Sequence, residues 1–381
     1  MPHPSSAFPT LGILGDGQLG RMTAQAAIRM GMRVKWLAPR ASGPMNGLGE
    51  GTVGDWKDPD VLRRFAHGCT VVTVESEWAP AEHLAEVLPE GTALWPAPET
   101  LFVIRDKGRQ KQTLADAGLP VPPFRRCPAV EDALAAAHHF GYPVLLKQYR
   151  GSYDGYGNAT VRSDDELRAA WPDLADDDGL LVEAWVPFVR ELSVLVARRP
   201  GGEHVIYPVA YTEQRDHRCH AVVVPAAIPE AVAREARRVG LAAVEAVGGV
   251  GLTAVELFER EDGQILVNEL APRPHNTGHY SIEGSHTSQF ENHVRGILDW
   301  PLGDPGLRAP AAAMVNVLGR RDGTPSAETI RAALEIPGVT VHLYGKTRVR
   351  PRRKMGHVTA TGTDPDEVRR RAEDAAARIV L

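Results

Sequence analysis

Along the first hundred positions, short apolar runs alternate with stretches in which apolar residues recur at helical spacing. Residues 11–14 read as a buried strand, 18–30 as a helix, 33–37 and 71–74 as further strands, and 81–88 as a helix. Strands alternating with helices predict a parallel sheet with crossover connections. Residues 38–56, rich in Gly, Pro and Ser, predict a long loop within that unit. A second unit is expected from 105: a charged helix over 105–117, a proline-rich turn at 120–123, a helix at 130–140, a strand at 143–147 and a glycine-rich loop at 150–158. Strands at 180–184 and 190–197 follow, then a helix over 229–247. A hairpin of 253–258 with 264–270 turns at Asp262-Gly263. PLGDPGLRAP (301–310) reads as a linker, followed by short strands and a closing helix over 365–379. The expected architecture is α/β, divided at 1–104, 105–300 and 301–381.

Composition narrows the function classes. Of 381 residues, 43% are hydrophobic and 24% charged, which suits a folded multidomain protein and excludes a disordered one. A net charge of −5 gives no global basic field for nucleic acid. No apolar run approaches the ~18 residues of a membrane span, and MPHPSSAF lacks the layout of a secretory signal, so a cytoplasmic location is expected. Cys69, Cys127 and Cys219 form no CxxC pair, which removes zinc ribbons and dithiol redox motifs. Only seven of the 43 basic residues are lysines: 35, 57, 107, 111, 147, 346 and 354. Such a skew leaves lysine where a compact ammonium matters, which marks these positions.

Several motifs carry candidate chemistry. Gly15-Asp16-Gly17-Gln18-Leu19-Gly20 follows a strand and opens a helix, as a dinucleotide fingerprint does. Residues 21–49 hold no acid before Glu50 to grip a ribose, so an amide-lined site for another polar or anionic ligand is the better fit; packing alone, or NADP through Arg33, Lys35 or Arg40, are the alternatives. With the hairpin turn centred between Asp262 and Gly263, Glu256 and Glu269 face each other at ~4.5–5.5 Å. Facing carboxylates repel unless one is protonated or a cation lies between them, and their hard oxygens suit Mg²⁺. A solvated edge is the alternative. The loop RGSYDGYGN offers Gly151, Gly155 and Gly157 amides to phosphate beside Lys147, unless it is a plain surface turn. Glu183–Val186 reads as an extended clamp for a flat base, with Glu191 placed for ribose hydroxyls; taken singly, each also fits plain core or surface. Arg273, His275 and Asn276 continue from the Glu269 strand and suit an anionic intermediate. Zinc on His275 and His279 competes, but two prolines oppose the helix it needs. Lys346 and the run Arg350–Lys354 suit a substrate phosphate, with a solvated basic turn as the alternative.

Together these residues resemble the ATP-grasp ligases, and among them the N5-carboxyaminoimidazole ribonucleotide synthetases of purine biosynthesis. The carriers are ILGDGQLGRM (13–22), TVESE (73–77), DKGRQKQ (106–112), LLKQYRGSYDGYGN (145–158), EAWVPFVRELSV (183–194), VELF (255–258), VNELAPRPHNTGH (267–279) and YGKTRVRPRRKMGH (344–357). The resemblance implies an ATP-grasp fold with an N-terminal Rossmann-like domain and a small β-rich C-terminal domain, commonly dimeric. Its substrates would be ATP, bicarbonate and 5-aminoimidazole ribonucleotide, with the product passing to a downstream mutase. By the same resemblance ATP falls to Lys107, Lys147, Ser152, Tyr153, Asp154, Gly155, Tyr156, Gly157, Asn158, Glu183, Ala184, Trp185, Val186, Glu191, Gln214, Asn268 and Glu269. Mg²⁺ falls to Glu256 and Glu269. The ribonucleotide and the carboxylating intermediate fall to Gln18, Leu19, Glu75, Tyr153, Asp154, Arg273, His275, Asn276, Lys346, Arg353 and Lys354, with Arg273, His275, Asp154 and Lys346 catalytic. Asp16 replaces a glycine of the family; Ser152, Tyr156 and Asn158 replace a glycine, a basic residue and a glutamine. Lys107 stands for an arginine and Gln214 for a frequent histidine. Arg150 is the candidate to replace the cation lost at Tyr156. A formate-dependent glycinamide ribonucleotide transformylase and a non-catalytic nucleotide-binding regulator are the competing functions.

Overall fold

The computed structural model describes residues 8–40, 43–151, 156–216 and 218–381. Ser152, Tyr153, Asp154 and Gly155, all expected at the site, lie outside the described residues.

The N-terminal unit is a parallel sheet of β1 (Thr10–Leu14), β2 (Arg33–Ala38), β3 (Glu50–Val53), β4 (Val71–Val74) and β5 (Ala93–Leu94), in the order β3-β2-β1-β4-β5. β1 and β4 are buried along their whole length, which is why they read as continuous apolar runs. β3 falls inside the stretch expected to be loop. Its sequence, EGTV, lies mostly exposed at the sheet edge, so no apolar pattern announces it. The helix expected over 105–117 is also corrected. Asp106 is extended (φ −105°, ψ 108°) and caps a helix over Lys107–Asp116, its Oδ1 accepting from Arg109 N at 2.9 Å. A separate helix, Pro98–Ile104, precedes it.

A small antiparallel sheet follows: β6 (Phe124–Cys127), β7 (Val144–Lys147), β8 (Asn158–Val161) and β9 (Leu180–Ala184), ordered β6-β9-β7-β8. Lys147 pairs with Asn158, so the glycine-rich loop is the connection between β7 and β8.

The third sheet comprises β10 (Arg190–Arg198), β11 (His204–Ile206), β12 (Ala210–Arg215), β13 (Arg218–Val224), β14 (Gly251–Glu259), β15 (Ile265–Ala271), β16 (Ala311–Leu318), β17 (Val339–Leu343) and β18 (Lys354–Gly362). Its order is β15-β14-β10-β12-β13-β16-β18-β17, with β11 on β10. The sheet runs across the stretch expected as a linker, since β16 pairs with β13. One face packs the helix Glu230–Ala246, whose Ala236, Val239, Gly240, Ala243 and Val244 form an apolar stripe against Val194, Val255 and Leu257. The other face meets the N-terminal unit through the helix Gln289–Ile297. Its His293 is fully buried: Leu252 N–H donates to Nδ1 at 3.0 Å, so Nε2 carries the proton and donates to Thr73 Oγ1 at 2.9 Å. Among the described residues no helix is long and apolar enough to cross a membrane.

Candidate active site

The β14–β15 hairpin brings Glu256 and Glu269 opposite each other, as expected, but by another route. Its turn is a three-residue loop: Gly263, at φ 78°, donates to Arg260 O at 2.9 Å, and Arg260 N donates to Gln264 O at 2.9 Å. The resulting register pairs Leu257 with Val267 and, continued, would set Glu256 against Asn268. A bulge opposite the Glu256–Leu257 step makes Asn268 the extra residue and restores the Glu256–Glu269 pair. Burial and the facing charge of Glu269 push the Glu256 carboxyl up. Burial opposes ionisation of Glu269 too, but the Lys107 ammonium, 2.5 Å from its Oε2, holds it below the usual range. Among the described residues no three His, Cys, Asp or Glu side chains converge on one point. The two half-buried carboxylates therefore suit a hard divalent cation that takes the rest of its shell from water or substrate oxygens.

Beside this pair lies a cation cluster. The buried Glu183 accepts from Lys147 at 2.8 Å and lies 3.2 Å from Lys111 Nζ. Lys147 also reaches Asn268 Oδ1 at 3.4 Å. Lys111 donates to the backbone carbonyls of Asn268 (2.9 Å) and Val267 (3.3 Å), and so grips the bulge itself. Burial pushes Lys111 down to about 8, against the opposing pull of Glu183. Burial opposes the Glu183 charge, yet Lys111 and Lys147 together hold its carboxyl below the usual range. Lys111 was not among the expected site residues, although the scarcity of lysine marked it.

β9 ends at the half-buried Ala184, and the extended segment after it continues this floor, with Trp185 48% exposed and Val186 buried. Phe188 stacks on Phe258, with centroids 4.6 Å apart. Glu191 is raised by burial, and the Gln214 side chain hydrogen-bonds to it. The guanidinium of Arg150, the candidate to replace the cation missing at Tyr156, lies 3.5 Å from Asp106 and 3.4 Å from Asp178. The Arg218 guanidinium stands 5.3 Å over the Tyr156 ring. Gly157 and Asn158 lead from this ring into β8.

The segment after β15 closes the site. Arg273 forms a two-point pair with Glu77, Nε to Oε2 at 2.6 Å and NH2 to Oε1 at 3.2 Å. Glu77 is a second residue missed from sequence. His275 Nδ1 accepts from Thr277 N–H at 3.5 Å and lies 3.0 Å from Thr277 Oγ1. Nε2 therefore carries the proton, 3.6 Å from Glu256 Oε1. Burial, with Arg273 and Lys354 adding to it, pushes His275 down to about 3, so the ring is neutral at physiological pH. Asn276 does not face this space: its amide exchanges two hydrogen bonds with Asn316, at 2.9 and 2.7 Å, inside the protein. His279 is likewise turned away from His275 as a metal partner, its Nδ1 facing Gln289 Nε2 at 3.0 Å.

The glycine-rich helix start is occupied by a protein carboxylate. Glu75 accepts from Gly17 N at 2.5 Å and Gly20 N at 2.9 Å, and a Cβ at Gly17 would lie 2.6 Å from its oxygens. Gln18 Oε1 accepts from Lys346 Nζ at 2.6 Å, tying this loop to the C-terminal residues, and Lys346 also donates to Lys354 O at 2.5 Å. Leu19 packs with Met22, Phe290 and Tyr344 at the same junction. Arg353 donates to Arg348 O at 2.9 Å within its own loop.

Three families match successive parts of the chain: the ribonucleotide synthetase preATP-grasp domain at 8–105, the ATP-grasp domain at 112–290, and the phosphoribosylaminoimidazole carboxylase C-terminal domain at 312–371. Fold and site thus define an ATP-grasp enzyme. A protein of Mycobacterium tuberculosis named N5-carboxyaminoimidazole ribonucleotide synthase is 41% identical over 97% of this chain and 87% of its own. The crystal structure of N5-carboxyaminoimidazole ribonucleotide synthetase from Thermus thermophilus superposes with a TM-score of 0.85 at 37% identity, covering 97% of this chain and 98% of that one. The Aspergillus clavatus synthase in complex with ADP and 5-aminoimidazole ribonucleotide gives a TM-score of 0.86 at 32% identity, covering 98% and 99%. The chain belongs to the N5-carboxyaminoimidazole ribonucleotide synthase family.

Proposed function

We propose that this enzyme carboxylates 5-aminoimidazole ribonucleotide on its exocyclic amine, consuming ATP and bicarbonate and releasing ADP and phosphate. The observation that carries the reading is the convergence of the Glu256–Glu269 pair, three lysines and the Arg273–His275 segment in one cleft, in a chain similar to this family along nearly its whole length.

The residues divide the work by position. ATP lies along the segment Glu183–Val186 with its ribose toward Glu191, while Lys107 and Lys147 balance charge on the phosphates. Glu256 and Glu269 are the residues that would hold Mg²⁺, which supplies Lewis-acid polarisation of the γ-phosphoryl group. Bicarbonate oxygen attacks that group in line and ADP leaves, giving carboxyphosphate. Arg273, oriented by Glu77, supplies a fixed cation for this anion. His275 is neutral and presents Nε2–H, so it acts as a hydrogen-bond donor rather than a base. Carboxyphosphate then breaks its bond to phosphate and yields CO₂ to the amine, and the released phosphate takes the proton the amine loses as the N–C bond forms. Lys346, Lys354 and Arg353 hold the ribose phosphate away from the chemistry and fix orientation. The reading includes a cytoplasmic homodimer that passes its labile product to a mutase, and sedimentation tests the dimer.

ADP and carboxylated product are to be followed together while bicarbonate and the ribonucleotide are omitted in turn. Both appearing only when both substrates are present is the expected result. ADP release indifferent to the ribonucleotide, with no carboxylation, overturns the reading and moves the search to formate and other acceptors.

A further inference from the structure

We propose that Gln289 is a positioning residue for His275, acting through the backbone that carries the imidazole; the proposal rests on the functional reading above. Gln289 opens the helix Gln289–Ile297 and is fully buried. Its Oε1 accepts from His275 N–H at 2.9 Å and its Nε2 donates to His275 O at 2.7 Å. One side-chain amide thus reproduces the two-bond exchange that a strand partner would make. The orientation of the amide follows from this pair, because a backbone N–H can only donate and a carbonyl can only accept. The second Nε2 hydrogen points at His279 Nδ1, 3.0 Å away. Gln289 N donates to Ser281 Oγ at 2.9 Å, and Ser281 Oγ donates to Gly278 O at 2.6 Å. Gly278 has no room for a side chain, since a Cβ there would lie 2.4 Å from Gln289 Oε1.

The segment needs such a hold because Pro272 and Pro274 carry no N–H and cannot extend the β15 ladder. His275 lies past the end of β15, in extended backbone (φ −124°, ψ 155°) before the 3₁₀ turn Asn276–Gly278. Its ring is aimed by Thr277 at Nδ1, so the direction of Nε2–H is set by where the backbone of 275–277 stands. Gln289 fixes that place while touching neither the Glu256–Glu269 pair nor the lysine cluster.

The test uses Gln289→Glu, which keeps size but loses both donors, and Gln289→Leu, which loses every polar contact. The expected result is a 10- to 100-fold fall in kcat for carboxylated product, with KM for ATP within twofold of the parent. In a His275→Ala background the Gln289→Leu effect is expected to shrink below twofold, since the residue acts through His275. Ring-nitrogen NMR of histidine-labelled protein, with His275 assigned by its loss in His275→Gln, is expected to show the Nε2–H form in the parent and a shifted or broadened signal in Gln289→Glu. Unchanged product formation, an undiminished effect without His275, or failure of both variants to fold each overturns the proposal, the last by making Gln289 purely structural. A parent that makes no carboxylated product overturns the functional reading instead, and the NMR signal then still decides whether Gln289 orders His275.

Discussion

Asn268 and Glu269 are chain neighbours whose side chains serve the same cleft, because the bulge in β15 cancels the usual alternation of a strand: Asn268 Oδ1 lies 3.4 Å from Lys147 Nζ, and Glu269 Oε2 lies 2.5 Å from Lys107 Nζ. Two adjacent residues reach two different lysines, and the Glu269 carboxylate faces that of Glu256 across the hairpin. Glu269→Gln keeps the shape and removes the charge. ATP turnover and carboxylation are expected to fall at least about a hundredfold, ~2.7 kcal/mol of barrier, with a cooperative melt retained. Product formation at the parental rate, measured with Mg²⁺ in excess, would sink the assignment of this pair as the cation site.

The Arg273–Glu77 pair makes a second case. Both side chains are largely buried, at 18% and 14% exposure, so removing one partner leaves a charge without its counterion. Glu77→Gln is expected to cost about 3–5 kcal/mol of stability and to raise the bicarbonate or ribonucleotide KM, because the guanidinium loses its orientation. Urea melts together with steady-state kinetics check this. A variant with parental stability and parental KM values would show that Arg273 is held by something else.

The parallel sheet was legible because β1 and β4 are buried on both faces and read as unbroken apolar runs. β3 was not, since an edge strand with one apolar residue leaves no period to find. The Glu256–Glu269 opposition followed from strand alternation, yet only because two departures from the assumed hairpin, a longer turn and a bulge, cancel. The roles of Lys111, Glu77 and Gln289 are not legible for one physical reason, although the scarcity of lysine marks the first: each acts on a residue brought near by folding, and a single sequence carries no sign of that proximity. The glycine loop shows the converse. Its sequence advertises amides for an acceptor, and the carboxyl that takes them is Glu75, 58 positions away.

Lys111 offers a prediction about the bulge. Its ammonium holds the carbonyls of Val267 and Asn268 and shares Glu183 with Lys147. Lys111→Met preserves the stem and deletes the donors, freeing the bulged backbone and leaving Glu183 one cation. The KM for ATP is expected to rise about tenfold, equivalent to ~1.4 kcal/mol, with the ribonucleotide KM nearly unchanged. Equal increases in both constants would show that Lys111 acts on the fold as a whole rather than on the nucleotide side of the cleft.

The last prediction concerns acid. Burial pushes His293 down to about 3, and the neutral ring links Leu252 of the large sheet to Thr73 of the N-terminal sheet. In the unfolded chain an ordinary histidine titrates near ~6.5. Between those values the unfolded state binds the extra proton, so stability rises with pH across the window. The contribution is fully present above about 6.5 and is lost progressively as pH falls toward the folded value, with a slope of up to ~1.4 kcal/mol per pH unit for this one group. His275, His279 and His357 are depressed in the same direction, so the parent's slope is a sum and only a difference isolates His293. His293→Gln supplies an acceptor for Leu252 N–H and a donor for Thr73 but does not titrate. Denaturant melts from pH 7.5 down to pH 4.5 are expected to show a shallower loss of stability in the variant by about one proton. Parallel curves would mean that His293 titrates alike in both states, and that the junction between the two sheets is open to water in acid.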